Sequence, residues 1–137
     1  MSGACVNATA ALEGKRYPAL RFVVDADRVR AFARAVGHPR DGVPPTFVTA
    51  PELVVGLSNV VTDPELGISL DHVLHGEQEY EWQRPLSAGE ELTADATIER
   101  VRGRGTTWFV TLRTEFTDAV GAQVATGRCT LIVRDDA

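Results

Sequence analysis

The chain has 137 residues, of which 44% are hydrophobic and 24% charged, and its formal net charge is −5 at pH 7. That length suits one domain with its own core, and the composition is that of an ordinary soluble globular protein. The acidic balance removes electrostatic support for binding a nucleic-acid backbone, although a local basic patch for a phosphorylated carrier is compatible with it.

The first residues have neither a basic n-region nor an unbroken apolar run, so no signal peptide is expected and a cytoplasmic location is. Cys5 and Cys129 fit no metal or redox spacing and are expected to be free thiols. Residues 1–16 lack periodicity and read as a loose N-terminal arm, leaving 17–137 as the domain. Residues 20–24 (LRFVV) form a short β-rich run suited to an edge strand. Asp25 or Asp27 then caps a helix whose apolar stripe is Val29, Phe32, Ala33 and Val36, with Arg28, Arg30 and Arg34 facing water and Gly37 ending it.

A breaker-rich stretch, GHPRDGVPP, leads into residues 44–61, PPTFVTAPELVVGLSNVV. Leu53, Val54, Val55, Leu57, Val60 and Val61 cover much of a helical wheel, and Glu52 is the single charge. Such a helix is expected to be buried on most sides, and it is too short to span a bilayer, which takes about 20 residues. Pro51 fits a first helical turn, so either regular helix begins near Ala50 after an irregular lead-in, or it begins earlier and bends.

Everything after Asp71 reads as strands. Leu74, Gln78, Tyr80 and Trp82 alternate with His75, Glu77, Glu79 and Glu81, which predicts one mixed apolar face and one acidic face carrying His75. Leu92, Ala94, Ala96 and Ile98 line a third strand; Trp108, Val110, Leu112 and Phe116 line a fourth; residues 124–133 make the last. One-sided alternation predicts an α+β fold in which an antiparallel sheet wraps a buried helix.

Several strings resemble the MaoC-like (R)-specific enoyl hydratases and dehydratases, and specifically their N-terminal subgroup. They are Phe32-Ala33-Arg34-Ala35-Val36-Gly37, Pro44-Pro45-Thr46-Phe47, Leu74-His75-Gly76-Glu77-Gln78, and Arg84-Pro85-Leu86-Ser87-Ala88-Gly89-Glu90-Glu91-Leu92. The resemblance implies a hot-dog fold and water addition or removal across the α,β double bond of an acyl thioester of coenzyme A or an acyl carrier protein. Members of that subgroup pair with a catalytic MaoC protein in mycobacterial fatty-acid and sterol side-chain dehydratases. Catalytic members carry Gly-Asp-x-Asn-Pro-x-His after the first helix; the Asp and His activate the water, and backbone N–H groups at the start of the central helix polarise the thioester carbonyl.

Here Gly37 is followed by His38-Pro39-Arg40-Asp41, without that motif. Candidate replacement bases are His75, Asp41 and His38, each with an ordinary structural alternative: a hydrogen-bonded histidine near the helix, or turn chemistry. Candidate substrate-binding positions are Pro45, Thr46, Phe47, Thr49, Glu52 and Gln78. The expectation is an acyl-binding, non-catalytic subunit of an enoyl-thioester hydratase/dehydratase, without cofactor or metal, in a homodimer or a heterodimer with a catalytic hot-dog. Its ligand would be an acyl thioester, with no nucleic acid and no membrane. The alternatives are a self-sufficient homodimeric thioesterase or divergent dehydratase, in which Glu52 is a further candidate, and a non-enzymatic acyl- or polyketide-binding protein.

Overall fold

Alternating apolar and polar residues give three long strands one face that must leave water, and the chain covers that face with an apolar helix. The computed structural model describes residues 10–135; Cys5 lies outside the described residues. The strands are β1 (Leu20–Val23), β2 (Val73–Trp82), β3 (Glu91–Arg104), β4 (Thr107–Asp118) and β5 (Gln123–Arg134). They form one antiparallel sheet in the order β1-β3-β4-β5-β2, so β1 and β2 are its edges. Leu92, Ala94, Ala96 and Ile98 of β3, Val110, Leu112 and Phe116 of β4, and Leu131 and Val133 of β5 are buried on the inner face. This is the α+β hot-dog arrangement that the strand pattern and the resemblance lead one to expect.

The helix α1 (Ala26–Val36) starts where Asp25 accepts a hydrogen bond from the backbone N–H of Arg28, and it ends at Gly37 with φ of 69°. Val29 is buried and Phe32 meets Phe47 edge to face at 5.6 Å between ring centroids, but Val36, the last residue of the expected stripe, is exposed.

The central helix is continuous from residue 45 to 62 yet changes pitch three times. Pro45–Val48 is a 3₁₀ turn, Thr49–Glu52 is α-helical, Leu53–Leu57 is a π segment and Ser58–Thr62 is α-helical again. Pro51 therefore lies in the first regular turn, where its missing N–H costs nothing, and the 3₁₀ turn is the irregular lead-in. Phe47, Val48, Val55 and Val60 pack on the sheet, whereas Leu53 is 39% and Val54 54% exposed. The expectation of a helix buried on most sides is thus corrected: the sheet covers one flank, and the other, still apolar, is only partly covered, with Leu53 and Val54 open to solvent. Among the described residues no helix is long and apolar enough to cross a membrane.

The N-terminal segment is also less loose than expected from residue 10 onward. Backbone hydrogen bonds join Gly14 to Ile98, Lys15 to Ile98 and Tyr17 to Ala96, which lays this segment beside β3. Sequence periodicity misses it because the bonds are made by backbone. Its side chains anchor at Asp63, a buried residue just past the central helix. Asp63 accepts from the Tyr17 hydroxyl at 2.8 Å, pairs with Lys15 at 2.6 Å and accepts from the Glu65 N–H at 2.9 Å. Burial alone would push the Asp63 carboxyl up, but Lys15, Tyr17 and the Glu65 N–H together hold it below the ordinary aspartate value.

A lowered native pKa stabilises the fold above the unfolded value of about 3.9, and that stabilisation is lost as pH falls through the native value. Tyr17→Phe removes one of the donors responsible. In urea titrations it should lower stability by about 1–2 kcal/mol at pH 7, with the gap to wild type narrowing toward acid. A gap independent of pH would show that the hydroxyl does not act through the carboxylate.

Candidate functional site

Glu52 is the one charge of the central helix and it is nearly dry, at 4% exposure. A carboxylate there needs donors, and β2 supplies them. Gln78 Nε2 donates to its two oxygens at 2.9 and 3.2 Å, and the Tyr80 hydroxyl donates to Oε2. Tyr80 and Thr49 share a hydrogen bond of 2.7 Å between hydroxyls, which returns the network to the helix. Gly127 of β5 leaves the room: a Cβ there would stand 3.0 Å from the Tyr80 ring and 3.1 Å from Glu52 Oε1.

His75 reaches this network through a local distortion. The β2–β5 register shifts between His75 and Glu77, so Gly76 is an inserted residue. His75 then lies opposite Leu131 and shares the inner face with Gln78, not the outer face with Glu77 and Glu79 as strict alternation predicts. Glycine suits the bulge because the Ile132 side chain lies 2.6 Å from where a Cβ would stand and would have to shift for any larger residue. His75 Nε2 lies 2.9 Å from Gln78 Oε1 and 3.3 Å from Cys129 Sγ.

Burial pushes the Glu52 carboxyl above the ordinary glutamate value, against the opposing pull of Tyr80, Gln78 and the His75 charge. Burial, reinforced by Glu52, also raises the Tyr80 phenol and pushes the Cys129 thiol up to about 12. A thiol held that high is not a nucleophile near neutral pH, and Cys129 is a free buried cysteine. Thr114 Oγ1, fully buried and without a hydrogen-bond partner, borders a void of about 10 Å³ together with Glu52, Gln78 and Cys129. The cluster is therefore a clamp between helix and edge strand, with both carboxylate oxygens occupied. Among the described residues no group of three or more His, Cys, Asp or Glu is placed to hold a metal ion.

The second feature is an apolar groove of about 430 Å³ on the other flank of the central helix. Leu20, Phe22 and Val23 of β1, Phe32 of α1, and Phe47, Ala50, Pro51 and Val54 of the helix line it, and Arg28 supplies its one cationic side chain. Of the sequence candidates, Phe47 lies in the groove, while Thr49, Glu52, Gln78 and His75 meet in the clamp. Pro45 and Thr46 are exposed at the start of the helix, where the Phe47 and Thr49 N–H groups are already bonded to the Pro44 and Thr46 carbonyls. His38 and Asp41 lie in the loop between α1 and the helix, and among the described residues neither makes a side-chain hydrogen bond with the other or with the clamp. Sequence reasoning missed Tyr80 as a partner of Glu52, although its period-two spacing from Gln78 carried the signal. It also missed the β1 and α1 walls of the groove, which come together only through the fold.

Three comparisons bear on this geometry. Residues 11–127 match the family described as "FAS1-like, dehydratase domain region". A UPF0336 protein of Clavibacter michiganensis subsp. michiganensis is 35% identical over 141 positions, covering 91% of this chain and 95% of that protein. A chain from the crystal structure of C-terminally truncated HadBC, a (3R)-hydroxyacyl-ACP dehydratase complex of Mycobacterium tuberculosis, superposes with a TM-score of 0.73 at 26% identity, covering 88% of this chain and 96% of that one. The (R)-hydratase of A. caviae involved in PHA biosynthesis, with a TM-score of 0.62 and 21% identity over 90% of this chain and 98% of that one, shares the fold.

Two substitutions test the clamp. Because the native Glu52 pKa is raised, its ionisation opposes folding as pH rises from the unfolded value through the native one. Glu52→Gln should abolish that slope and keep stability at pH 7 within about 1 kcal/mol, whereas Glu52→Ala strands the Gln78 and Tyr80 donors and should cost about 2–4 kcal/mol. Thr114→Val removes an unpartnered hydroxyl, so its Tm should match or exceed wild type; a clear drop would show that the hydroxyl is bonded in solution.

Proposed function

The chain belongs to the FAS1-like dehydratase family, a MaoC-like hot-dog family, and on that premise we propose that it is the acyl-binding, non-catalytic subunit of an enoyl-thioester hydratase/dehydratase. The observation that carries this reading is the pairing of a ready apolar groove with a carboxylate that has no free oxygen. The groove volume lies within the ordinary range of small-molecule sites, roughly 300–1,000 Å³, and its aromatic and aliphatic walls suit a hydrocarbon chain. Glu52 is dry and doubly bonded, so it has no reach toward a substrate. The loop after α1 offers His38 and Asp41 in place of the Asp and His motif of catalytic members, and among the described residues neither has a side-chain hydrogen bond to prepare it as a base.

In this reading the chain binds and the partner reacts. Phe22, Phe32, Phe47 and Val54 take the acyl chain out of water, and Arg28 attracts the carrier's phosphates toward the groove. The clamp fixes the central helix against β2, so the wall formed by Ala50, Pro51 and Val54 is rigid when the thioester docks. A second hot-dog supplies the Asp and His that move the α proton and the hydroxyl. The mycobacterial chain similar to this one comes from a complex, which supports a paired arrangement.

A self-sufficient hydratase or thioesterase is the second reading, and the His75–Gln78–Glu52 chain of contacts is what favours it. Gln78 weakens that reading, because an amide between the two titratable groups orients them but does not carry a proton.

The test is direct. The purified chain alone should leave a short enoyl-CoA unhydrated and should bind a long-chain acyl-CoA in a calorimetric titration. Ala50→Trp, which fills the groove from an exposed position, should weaken that binding about tenfold, equivalent to about 1.4 kcal/mol. Addition of a catalytic MaoC-type subunit should restore turnover. Turnover by the chain alone, abolished by His75→Ala or Asp41→Asn, would replace this proposal with the self-sufficient enzyme.

A further inference from the structure

Each hydrogen bond of the clamp can be given a direction by counting protons. An ionised Glu52 has none, so Gln78 Nε2 and the Tyr80 hydroxyl both donate to it. The single Tyr80 proton is then in use. In the 2.7 Å bond between the two hydroxyls, Thr49 is therefore the donor and Tyr80 the acceptor. On the other branch Gln78 turns Oε1 toward His75 Nε2 at 2.9 Å, which requires a proton on that ring nitrogen. Every donor in the network points toward the one carboxylate.

A proton on Glu52 breaks this pattern. Gln78 keeps donating to Oε1, so the new O–H sits on Oε2, where the Tyr80 oxygen is its hydrogen-bond neighbour. Tyr80 becomes the acceptor of that bond and rotates its own proton toward Thr49 Oγ1. Thr49 in turn loses its acceptor and rotates its proton away. For a threonine in a helix the usual alternative is the carbonyl four residues back, here that of Pro45. One proton is gained, at Glu52; the two hydroxyls keep theirs and only turn. The His75 branch cannot follow, because the donor and acceptor ends of the Gln78 amide are fixed.

We propose that Glu52, Tyr80 and Thr49 form a proton-operated switch, in which one proton taken up at the dry carboxyl reverses both hydroxyl bonds and releases the Thr49 hydroxyl to the entry turn of the central helix. Thr49 stands where the 3₁₀ turn meets the α-helix, and a threonine bonded back to its own helix tends to bend it. Its neighbours Phe47 and Ala50 line the groove, so the switch reaches that wall whatever the groove binds. Among the described residues, the titratable groups that face Glu52 are His75 and Tyr80 of β2 and Cys129 of β5; β4 contributes the Thr114 hydroxyl. Burial keeps the Tyr80 phenol and the Cys129 thiol protonated and lifts Glu52 above the ordinary glutamate value, so His75 is the other charge to be followed when Glu52 titrates.

The experiment is an NMR titration of the full chain between about pH 8 and about pH 4, following the Glu52 carboxyl carbon, the Thr49 methyl group and the His75 ring together. The Thr49 methyl should shift with the midpoint of Glu52 and not with that of His75. Tyr80→Phe cuts the chain and leaves both ends in place. Glu52 should then titrate at higher pH, having lost a donor to its charged form, and the Thr49 methyl should stop following it. Glu52→Gln has no proton to take up and should leave the Thr49 methyl flat across the range, which keeps the test valid if the phenylalanine variant folds poorly. A wild-type Thr49 signal that ignores the Glu52 transition, or moves with His75 instead, would overturn the switch. So would one that follows Glu52 equally in Tyr80→Phe, or that still titrates in Glu52→Gln. No ligand enters these titrations, so failure of the switch and failure of the acyl-binding reading are distinguishable.

Discussion

The whole molecule follows from laying one apolar helix, with a single carboxylate in it, against one face of one sheet. Burying Phe47, Val48, Val55 and Val60 against β3–β5 supplies the main driving force, at about 1.5–3 kcal/mol per large side chain. The same step takes Glu52 out of water and obliges β2 to supply its donors. Gln78 and Tyr80 can do so because two glycines permit it: Gly127 leaves space for the carboxylate, and Gly76 re-aims the start of β2. A polar requirement in the core therefore decides how the edge strand is built.

That edge strand has two unlike faces. Residues of β2 that face inward hold the helix, while those facing outward include Glu77 and Glu79, which share the outer face with Arg100 and Arg128. The opposite flank of the helix is left to β1 and α1, which leave a groove where they do not close fully over Phe47 and Val54. One helix thus separates the flank clamped by β2 from the flank that carries the groove. The π segment at Leu53–Leu57 sits at this division, with Leu53 and Val54 turned outward and Val55 and Gly56 turned in.

Much of this was legible in the sequence. The cap at Asp25 or Asp27, the Gly37 stop, the proline-marked helix entry, the one-sided strands and the strings shared with MaoC-like proteins all pointed to the fold, because each is a local signal. What was not legible depended on backbone or on assembly. Residues 10–16 pair through backbone groups that leave no periodic trace. The orientation of His75 turned on one inserted glycine, which reverses the alternation on its N-terminal side. The open flank of the central helix was unreadable because an all-round apolar wheel states that burial is available, not that a single sheet provides it. Glu52 was singled out as a lone charge, but its partners lie 26 and 28 residues further on, across the fold.

The central claim, that the groove between β1, α1 and the central helix receives an acyl chain, is tested most directly by methyl-resolved NMR during titration with a long-chain acyl-CoA. The account predicts shifts concentrated at the methyl groups of Leu20, Val23 and Val54, with those of Thr111 and Thr130 on the outer face of the sheet unmoved. Shifts confined to the outer face, or saturating binding that leaves Val23 and Val54 unperturbed, would contradict it.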